Sequence, residues 1–512
     1  MYCKQLYFFV CLFFLKLRKQ LIMMKQLLFI VILIFSQISY GQNATDVDTS
    51  FKTGTGFNGT VYEIAIQKDG KIIVGGNFTS YNGVSKNRIV RLNIDGSIDV
   101  SFKMGSGFTS GTVSNIIIQN DGKIVVGNTN TALQLYNGDE IKSLIRLNND
   151  GTIDRSFNFY LTENFGIETL AIQSDGKIVY GGIAPGGYNN SNILGRVLSN
   201  GNRDTSFVFY NYYPSSSVDT AIISSNGKIY AGGVFDGVNN TSDSRGITRL
   251  NIDGSTDTAF KIKGGIDAKL DLLYGFYRVR TLVIQSDGKI IIGGRFNYFD
   301  NNSSNTYSEL NSLLRLNSNG SVDENFNENN IGFNSDSYVN KILIQQDGKL
   351  LVAGNFTSYN NVACNQFVRL NFDGTLDDTF IVDSTFDNGT SVSIQSLAVQ
   401  SDNKILVGGW FSTYNGVSTK NLVRILDRST LSNDKFKESI ISIFPNPIKE
   451  ILNVNLPSND PIIEYSIYDV SGRKVISNKL LENKINVSSL SKGVYILKIK
   501  TDEKVFENKF IK

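Results

Sequence analysis

The chain has 512 residues, more than one hydrophobic core usually organises, and its 47 glycines with only six prolines favour many short strands joined by tight turns. It contains no histidine, which removes the commonest general base and the commonest transition-metal ligand. The net charge is +3, but five basic residues lie in the first 41 positions, so the remaining 45 face 47 acidic residues and offer nucleic acid no basic surface.

The amino terminus predicts an export leader. Lys25 precedes the apolar run from Leu27 to Phe35, and we expect signal peptidase to cleave after Gly41. An earlier apolar stretch runs from Leu6 to Leu15, so residues 1–41 are interpreted as a signal peptide with an over-long start. The run is too short for a stable transmembrane segment, and a membrane-anchored hairpin is the alternative.

Two sequence signatures alternate along most of the chain. The first runs from Ile64 to Phe78, and its Gly-Lys pair, at Gly70 in this copy, returns with glycine at positions 122, 176, 227, 288 and 348. A seventh copy spans Ser401 to Gly409. The second signature, Arg91 to Phe102, follows every copy except the last. Asp-Gly or Asn-Gly between apolar residues predicts two-residue type I′ hairpin turns, with positive φ at both central residues.

Each full repeat therefore contains two predicted hairpins. Four antiparallel strands in about 50 residues match the blade of a β-propeller. A polar loop through Tyr81 is expected between the second and third strands of the first repeat. The four strands predicted there are Glu63–Gln67, Lys71–Phe78, Arg88–Asn93 and Ser97–Phe102.

The ends of the array predict how it closes. The seventh copy continues through Leu422 to Leu426 but lacks the last strand of the other six, whereas a lone copy of that strand, Asp48 to Phe51, precedes the first repeat. We therefore expect an all-β fold in which residues 42–432 form a seven-bladed β-propeller closed by the N-terminal strand, which leaves no open sheet edge. An open solenoid is the alternative.

The repeat resembles a known family. Gln-x-Asp-Gly-Lys-Ile with Gly-Gly-x-Phe, followed by Arg-Leu-Asn-x-Asp-Gly-x-x-Asp-x-x-Phe, is similar to the delta-60 repeat of bacterial surface and secreted proteins, over residues 46 to about 426. The resemblance implies a propeller of unassigned function. It therefore supports an architecture more than an activity.

The composition changes after Asn433, which separates a linker at 433–440 from a C-terminal domain at 441–512. Alternating strands with glycine turns predict a small Ig-like β-sandwich. The Phe-Pro-Asn-Pro opening, the Tyr-Asp-x-x-Gly-Arg centre and the Leu-x-x-Gly-x-Tyr turn resemble the type A sorting domain of the type IX secretion system. An Ig-like adhesion module is the alternative.

The sorting-domain resemblance implies a destination. It implies that the type IX secretion machinery is a partner, and that the protein is secreted or held at the outer-membrane cell surface, after removal of the domain or by its attachment. The implied sorting-signal residues are Pro445, Asn446, Pro447, Asp469, Gly472, Arg473, Gly493 and Tyr495.

Aromatic residues at matching places after the second strand are the candidate ligand-binding residues. If exposed at one propeller face they would stack on sugar rings, and the alternative is that they pin loops. The candidates are Tyr81, Tyr298, Tyr359, Trp410 and Tyr414.

Other chemistry has weaker support. The Asn-x-Asp-Gly strings, such as Asn93 to Asp99, space oxygen ligands as calcium loops do, but their glycine placement favours hairpin turns, so no cofactor is expected and calcium is the alternative. A glycosidase would need two facing carboxylates. Acids outside the repeat pattern, which surface solubility explains more simply, are Asp139, Glu140, Glu163, Glu168 and Glu309.

The sequence thus predicts a non-catalytic binding or scaffold propeller for glycans or surface proteins, with no catalytic residue. A carboxylate-dependent glycan-active enzyme and a purely structural surface-layer component are the alternatives. Cys364, the one cysteine outside the leader, is expected to be buried and inert.

Overall fold

All regular structure in the described part of the chain is β-strand, which confirms the predicted fold class. The predicted leader and linker lie outside the described residues. The chain divides into two compact units between Asp427 and Arg428. The computed structural model describes residues 47–129, 134–159, 165–183, 193–210, 216–239, 244–262, 265–267, 277–296, 298–300, 307–309, 311–327, 332–380, 386–389, 391–427, 442–444, 448–455, 462–469, 473–478, 484–501 and 505–512.

The first unit repeats one antiparallel sheet seven times, and these sheets are blades 1 to 7 in chain order. In each blade the second strand lies between the first and the third. The first strands are Val61–Ile66, Val113–Ile118, Gly166–Ile172, Ser217–Ile223, Arg278–Ile284, Tyr338–Ile344 and Ser393–Val399. The second strands are Ile72–Gly76, Ile124–Asn128, Ile178–Ile183, Ile229–Val234, Ile290–Arg295, Leu350–Asn355 and Ile405–Trp410. The third strands are Ile89–Leu92, Leu144–Leu147, Leu194–Val197, Ile247–Leu250, Leu313–Leu316, Phe367–Leu370 and Leu422–Ile425.

The fourth strand of each blade is reduced to a single bridge. In blade 1 it is the bridge between Leu92 and Ile98, and equivalent bridges occur in blades 2 to 6. The segment after it turns at once, because the Asp99 carboxylate accepts hydrogen bonds from the Ser101 amide and hydroxyl, at 3.0 and 2.7 Å. The predicted strand Ser97–Phe102 is therefore too long.

The hairpin turns differ from the predicted type I′. The Gly70 amide donates to the Gln67 carbonyl at 2.9 Å, and the Gln67 amide donates to the Lys71 carbonyl at 2.8 Å. Only the glycine has a positive φ, of 81°, whereas Asp69 has not. This is a type I turn followed by a bulge, the usual geometry of a three-residue hairpin loop. The type I′ prediction is wrong because Lys68 and Asp69, and not Asp69 and Gly70, are the central residues.

Where a polar loop was predicted after the second strand, several blades form a short second hairpin. These hairpins pair Ser80–Tyr81 with Val84–Ser85, Gln134–Tyr136 with Asp139–Ile141, Tyr298–Asp300 with Tyr307–Glu309, Ser358–Tyr359 with Val362–Ala363, and Thr413–Tyr414 with Val417–Ser418. Two further short strands, Gly265–Asp267 and Phe386–Asp387, add to the hairpins of blades 5 and 7.

Neighbouring blades pack face to face in cyclic order. The first strand of each blade contacts the first strand of the next, and that of blade 7 contacts that of blade 1. In every blade except blade 6, which has Ala353, the second strand carries a glycine where the next blade approaches. A Cβ at Gly75 would lie 2.5 Å from the Val113 side chain, and one at Gly408 would lie 2.5 Å from that of Val61. These glycines therefore permit a contact that a larger residue would block.

A buried cluster, here called the clamp, recurs in every blade. In blade 1, Arg91 Nε donates to Asp99 Oδ2 at 2.7 Å, Lys71 Nζ lies 2.9 Å from the same oxygen, and the guanidinium lies 4.7 Å from the Phe102 ring centroid. Arg91 also donates to the Asn149 carbonyl of blade 2, so the clamp joins neighbouring blades. The other Arg/Asp/Phe sets are 146/154/157, 196/204/207, 249/257/260, 315/323/326, 369/377/380 and 424/48/51.

The N-terminal segment supplies the clamp of blade 7. Val47 bridges to Ile425, and the Asp48 carboxylate lies 2.8 Å from Arg424. Phe51 stacks under the same guanidinium at 4.5 Å, and Arg424 also donates to the Ile94 carbonyl of blade 1. The first and the last described segments of this unit are thereby held in one sheet.

The second unit contains two antiparallel sheets around one core, in which Leu452, Ile467 and Leu497 are buried. The Ig-like assignment of this unit stays a prediction. One sheet contains Ser442–Phe444, Ile451–Asn455 and Lys484–Asn486, and the other contains Lys474–Asn478, Ile462–Asp469, Val494–Thr501 and Val505–Ile511.

Candidate functional site

Three of the five candidate aromatic residues are buried. Tyr81, Tyr359 and Tyr414 are 0% exposed. The Tyr81 hydroxyl donates to the Gly96 carbonyl at 2.8 Å, and the Tyr359 hydroxyl donates to the Gly374 carbonyl at 2.6 Å. Tyr81 and Tyr359 thus hold the turn of their own blade, and because all three rings are buried, the prediction that they form a sugar-stacking face is wrong.

The other two candidates are not contradicted. Trp410 ends the second strand of blade 7 and is 43% exposed, so its role in ligand binding stays a prediction. Tyr298 begins the strand Tyr298–Asp300, and its side chain lies outside the described residues.

The described sorting-signal residues have structural partners. Asp469 accepts from the Arg473 amide at 3.0 Å and from its guanidinium at 3.1 Å, across a hairpin end. The backbones of Gly493 and Lys512 exchange two hydrogen bonds, and the Tyr495 hydroxyl donates to the Ser491 carbonyl at 2.9 Å. Pro445, Asn446, Pro447 and Gly472 lie outside the described residues.

The acids singled out in the sequence separate spatially. Asp139 lies on the short hairpin of blade 2, here called the rim hairpin, where it pairs with Arg155 at 3.0 Å and where Glu140 is exposed. Glu168 instead lies in the centre of the ring. Glu163 and the side chain of Glu309 lie outside the described residues.

A central channel lies where the first strands of the seven blades meet. Its volume is ≈ 530 Å³, within the range of small-molecule sites. All seven blades line it through the residues at the start of their first strands. A β-bulge at this place in each blade, between Val61 and Glu63 in blade 1, shifts the register of the strand.

One position of this strand differs in all seven blades. The residue before it is Val or Ile in every blade and is wholly buried, as Val61 is. The position itself faces the channel and is occupied in turn by Tyr62, Ser114, Glu168, Asp219, Arg280, Asn340 and Gln395. The repeat is therefore uniform where it packs and varied where it lines the channel.

Two ion pairs cross the channel wall. Arg278 of blade 5 holds Asp219 of blade 4 with two hydrogen bonds, of 2.6 and 2.9 Å. Lys341 Nζ of blade 6 lies 3.2 Å from Glu63 Oε2 of blade 1. The first pair thus joins the neighbouring blades 4 and 5, whereas the second joins blades 6 and 1, between which blade 7 lies.

Glu168 has unusual electrostatics. Burial, together with the negative charge of Asp219, raises the pKa of its carboxyl to about 7, although Arg278 and Arg280 oppose the rise. A carboxyl with this pKa is partly protonated at neutral pH, so it can donate as well as accept a hydrogen bond.

The opposite end of the first strands is aliphatic. The last apolar residue of the strand is half-buried in every blade. A second cavity of ≈ 380 Å³ lies among these residues in blades 2 to 4. The seven aliphatic residues are Ile66, Ile118, Ile172, Ile223, Ile284, Ile344 and Val399.

Sequence reasoning missed most of the channel. Asp219 and Arg280 were not predicted because they lie at the position where no two repeats share a residue type. A column-by-column comparison of the seven first strands would have identified them. In the described part of the chain, His, Cys, Asp and Glu form no cluster of three that could hold a metal ion. Cys364 is buried, and burial raises the pKa of its thiol to about 12.

Two family models match the chain. A domain of unknown function (DUF5122) β-propeller matches seven segments, 67–102, 119–157, 173–207, 224–260, 285–326, 345–380 and 400–426. A secretion system C-terminal sorting domain matches residues 442–512. The two matches confirm the predicted seven-repeat propeller and the predicted sorting domain.

Individual relatives are distant. β-Agarase D from Zobellia galactanivorans is 29% identical over 104 residues, which are 19% of this chain and about a fifth (21%) of that protein. PorZ, an essential surface component of the type IX secretion system of Porphyromonas gingivalis, is 12% identical, with 89% of this chain and 60% of that chain covered and a TM-score of 0.39. A virginiamycin B lyase from Staphylococcus aureus is 11% identical, with coverages of 75% and 98% and a TM-score of 0.40. Matches this distant assign neither ligand nor activity.

Proposed function

We propose that this chain, which belongs to the DUF5122 β-propeller family and ends in a type IX sorting domain, is a non-catalytic binding or scaffold propeller whose ligand enters the central channel. The sorting domain indicates a secreted or outer-membrane surface protein that the type IX machinery handles. Within the described residues, no helix is long and apolar enough to cross a membrane.

The observation that carries the proposal is the varied position of the first strand. A repeat that served only to build a ring could carry the same small polar residue at this position in every blade. Instead the seven blades present a phenol, a hydroxyl, two carboxyls, a guanidinium and two amides to one cavity. A cavity with a few converging polar groups is the usual form of a small-molecule site.

The test uses the full exported chain on glycan and peptide arrays. We expect one ligand class to bind without being consumed, and a Glu168→Gln/Arg280→Gln variant to bind it at least tenfold more weakly. The matched control is Glu140→Gln/Arg155→Gln, which changes the same residue types on the rim. A folded channel variant that binds like the unaltered chain would contradict the proposal and favour a purely structural surface-layer role.

A glycan-active enzyme is the second candidate, because Glu168 and Asp219 line the same channel. Glycoside hydrolysis needs one carboxyl that is protonated and one that is ionised. The pKa of Glu168, raised to about 7 by burial, suits the acid, and the Arg278 ion pair suits the carboxylate. The Arg278 contacts, however, occupy both oxygens of Asp219, which disfavours a nucleophilic or general-base role.

This alternative has a direct assay. The full chain and its Glu168→Gln variant would be incubated with agaro-oligosaccharides and with a mixture of plant and algal polysaccharides, and new reducing ends would be measured. Release of reducing ends that disappears in the variant would establish the enzyme. If neither protein releases reducing ends, the binding function remains the proposal.

A further inference from the structure

Two charged side chains of the channel form no ion pair with another described residue. Six charged side chains line it: Glu63, Glu168, Asp219, Arg278, Arg280 and Lys341. Four of these form the Asp219–Arg278 and Glu63–Lys341 pairs. The two left over are Glu168 and Arg280, which have opposite signs. No described side chain lies within ion-pair distance of either.

Arg280 is held in place but is not neutralised. Its Nη1 donates to Asn340 Oδ1 at 2.7 Å, and its guanidinium lies 4.9 Å from the Tyr338 ring centroid. Its Nε is buried and has no hydrogen-bond partner among the described residues. A buried donor without a partner costs free energy, and a carboxylate is the group that best satisfies a guanidinium.

Glu168 is the complementary case. No hydrogen bond or ion pair joins its carboxyl to another described residue. An ammonium group brought to it would supply both a counter-charge and hydrogen-bond donors. Burial and the charge of Asp219 raise its pKa to about 7, although Arg278 and Arg280, which do not contact it, oppose the rise.

We propose that the channel binds a short peptide with free termini, whose carboxylate contacts Arg280 and whose ammonium group contacts Glu168. This inference rests on the proposed function and names the ligand class. The two residues lie on blades 3 and 5, and the channel volume of ≈ 530 Å³ gives room for a short peptide that carries both groups. A neutral sugar would leave both charges without a counter-ion, which is costly in a partly desolvated site.

Trialanine and its two blocked forms test the proposal. Binding to the full chain would be measured calorimetrically at pH 7 for trialanine, for N-acetyl-trialanine, which lacks the ammonium group, and for trialanine amide, which lacks the carboxylate. We expect each blocked form to bind at least tenfold more weakly than trialanine.

Two variants locate the contacts. Glu168→Gln should weaken trialanine about tenfold and leave N-acetyl-trialanine nearly unaffected, because that probe has no ammonium group to lose. Arg280→Gln should do the same for trialanine and spare trialanine amide. Arg155→Gln on the rim is the control, and the fluorescence of the single tryptophan, Trp410, checks that each variant keeps the propeller folded.

The outcomes separate the two proposals. Blocked forms that bind as well as trialanine, or no trialanine binding at all, would overturn the peptide assignment. If a glycan from the array then binds, and Glu168→Gln weakens that binding, the proposal that the channel binds a ligand is retained and only the peptide assignment fails. If no array member distinguishes the channel variant from the unaltered chain, both proposals fail.

Discussion

The clamp and the channel differ in how their charged side chains are paired. Each clamp repeats the same arginine, aspartate and phenylalanine, and its aspartate has at least one cation within hydrogen-bond distance. In the channel no two blades present the same residue at the varied position, and Glu168 forms no ion pair with any described residue. The pKa of Asp377 in a clamp is lowered to about 2, whereas that of Glu168 is raised to about 7. The uniform region stabilises the ring, and the varied region is free to recognise a ligand.

The largest effect should come from protonating all seven clamps at once. For Asp204 and Asp377, burial alone would raise the pKa, but hydrogen bonds from lysine and Ser or Thr, with the arginine charge, lower it to about 2. The folded pKa lies below the unfolded value, so the stabilisation is complete above about pH 4 and is lost as pH falls through 2. We expect the free energy of unfolding to fall by an amount on the order of several kcal/mol. The fall would appear as a lower midpoint temperature of thermal unfolding, followed by Trp410 fluorescence at each pH.

The control for acid unfolding is Asp139→Asn, which alters an exposed pair and should leave the pH curve unchanged. A melting temperature that stays constant from pH 5 to pH 2 would contradict the role of the clamps.

A single clamp is broken by Arg369→Met. This side chain is 0% exposed and bonds to Asp377 at 2.6 Å and to Asp427 at 2.7 Å. Removing the guanidinium leaves buried carboxylates without their main cation, which should cost about 3–5 kcal/mol in the free energy of unfolding. Urea unfolding measures the loss. Arg155→Met is the matched control, with an expected cost below about 1 kcal/mol, and equal costs for the two would refute the distinction.

The residues of the clamp could be identified from the sequence, because they recur at fixed places in the repeat. Their geometry could not. The spacing shows that an arginine and an aspartate, Arg91 and Asp99 in the first repeat, recur together. It does not show that Arg91 also contacts the next blade. Tyr81 illustrates the same limit, because a repeated aromatic residue is compatible with an exposed face or a buried pin. Only the backbone path decides which way the ring points.

The channel could not be predicted from the sequence, for a different reason. A search for repeats emphasises shared residues, and the channel position has none. Glu168 was noticed only as an acid outside the pattern. The neighbouring charges, Asp219 and Arg280, lie on the first strands of the next two blades, and only the packing of those strands around one axis brings them to the same cavity as Glu168.

The channel should respond to pH with the opposite sign to the clamps. The folded pKa of Glu168 exceeds its ordinary value of 4.5, so ionisation costs the folded state free energy, and stability falls as pH rises through 7. Glu168→Gln removes this cost and should add about 2 kcal/mol at pH 8.5 and less than about 1 kcal/mol at pH 5. Urea unfolding at the two pH values gives the comparison, and an equal change at both would show that the carboxyl is not perturbed.

Trp410 should have the smallest effect on stability. It is 43% exposed and lies in neither the clamp nor the channel lining, so Trp410→Ala should cost less than about 1 kcal/mol. If the channel is the ligand site, array binding should survive this substitution while Glu168→Gln weakens it. Loss of glycan binding in Trp410→Ala alone would move the site to the outer face, where an exposed indole can stack on a sugar ring, and would leave the varied channel without a recognition role.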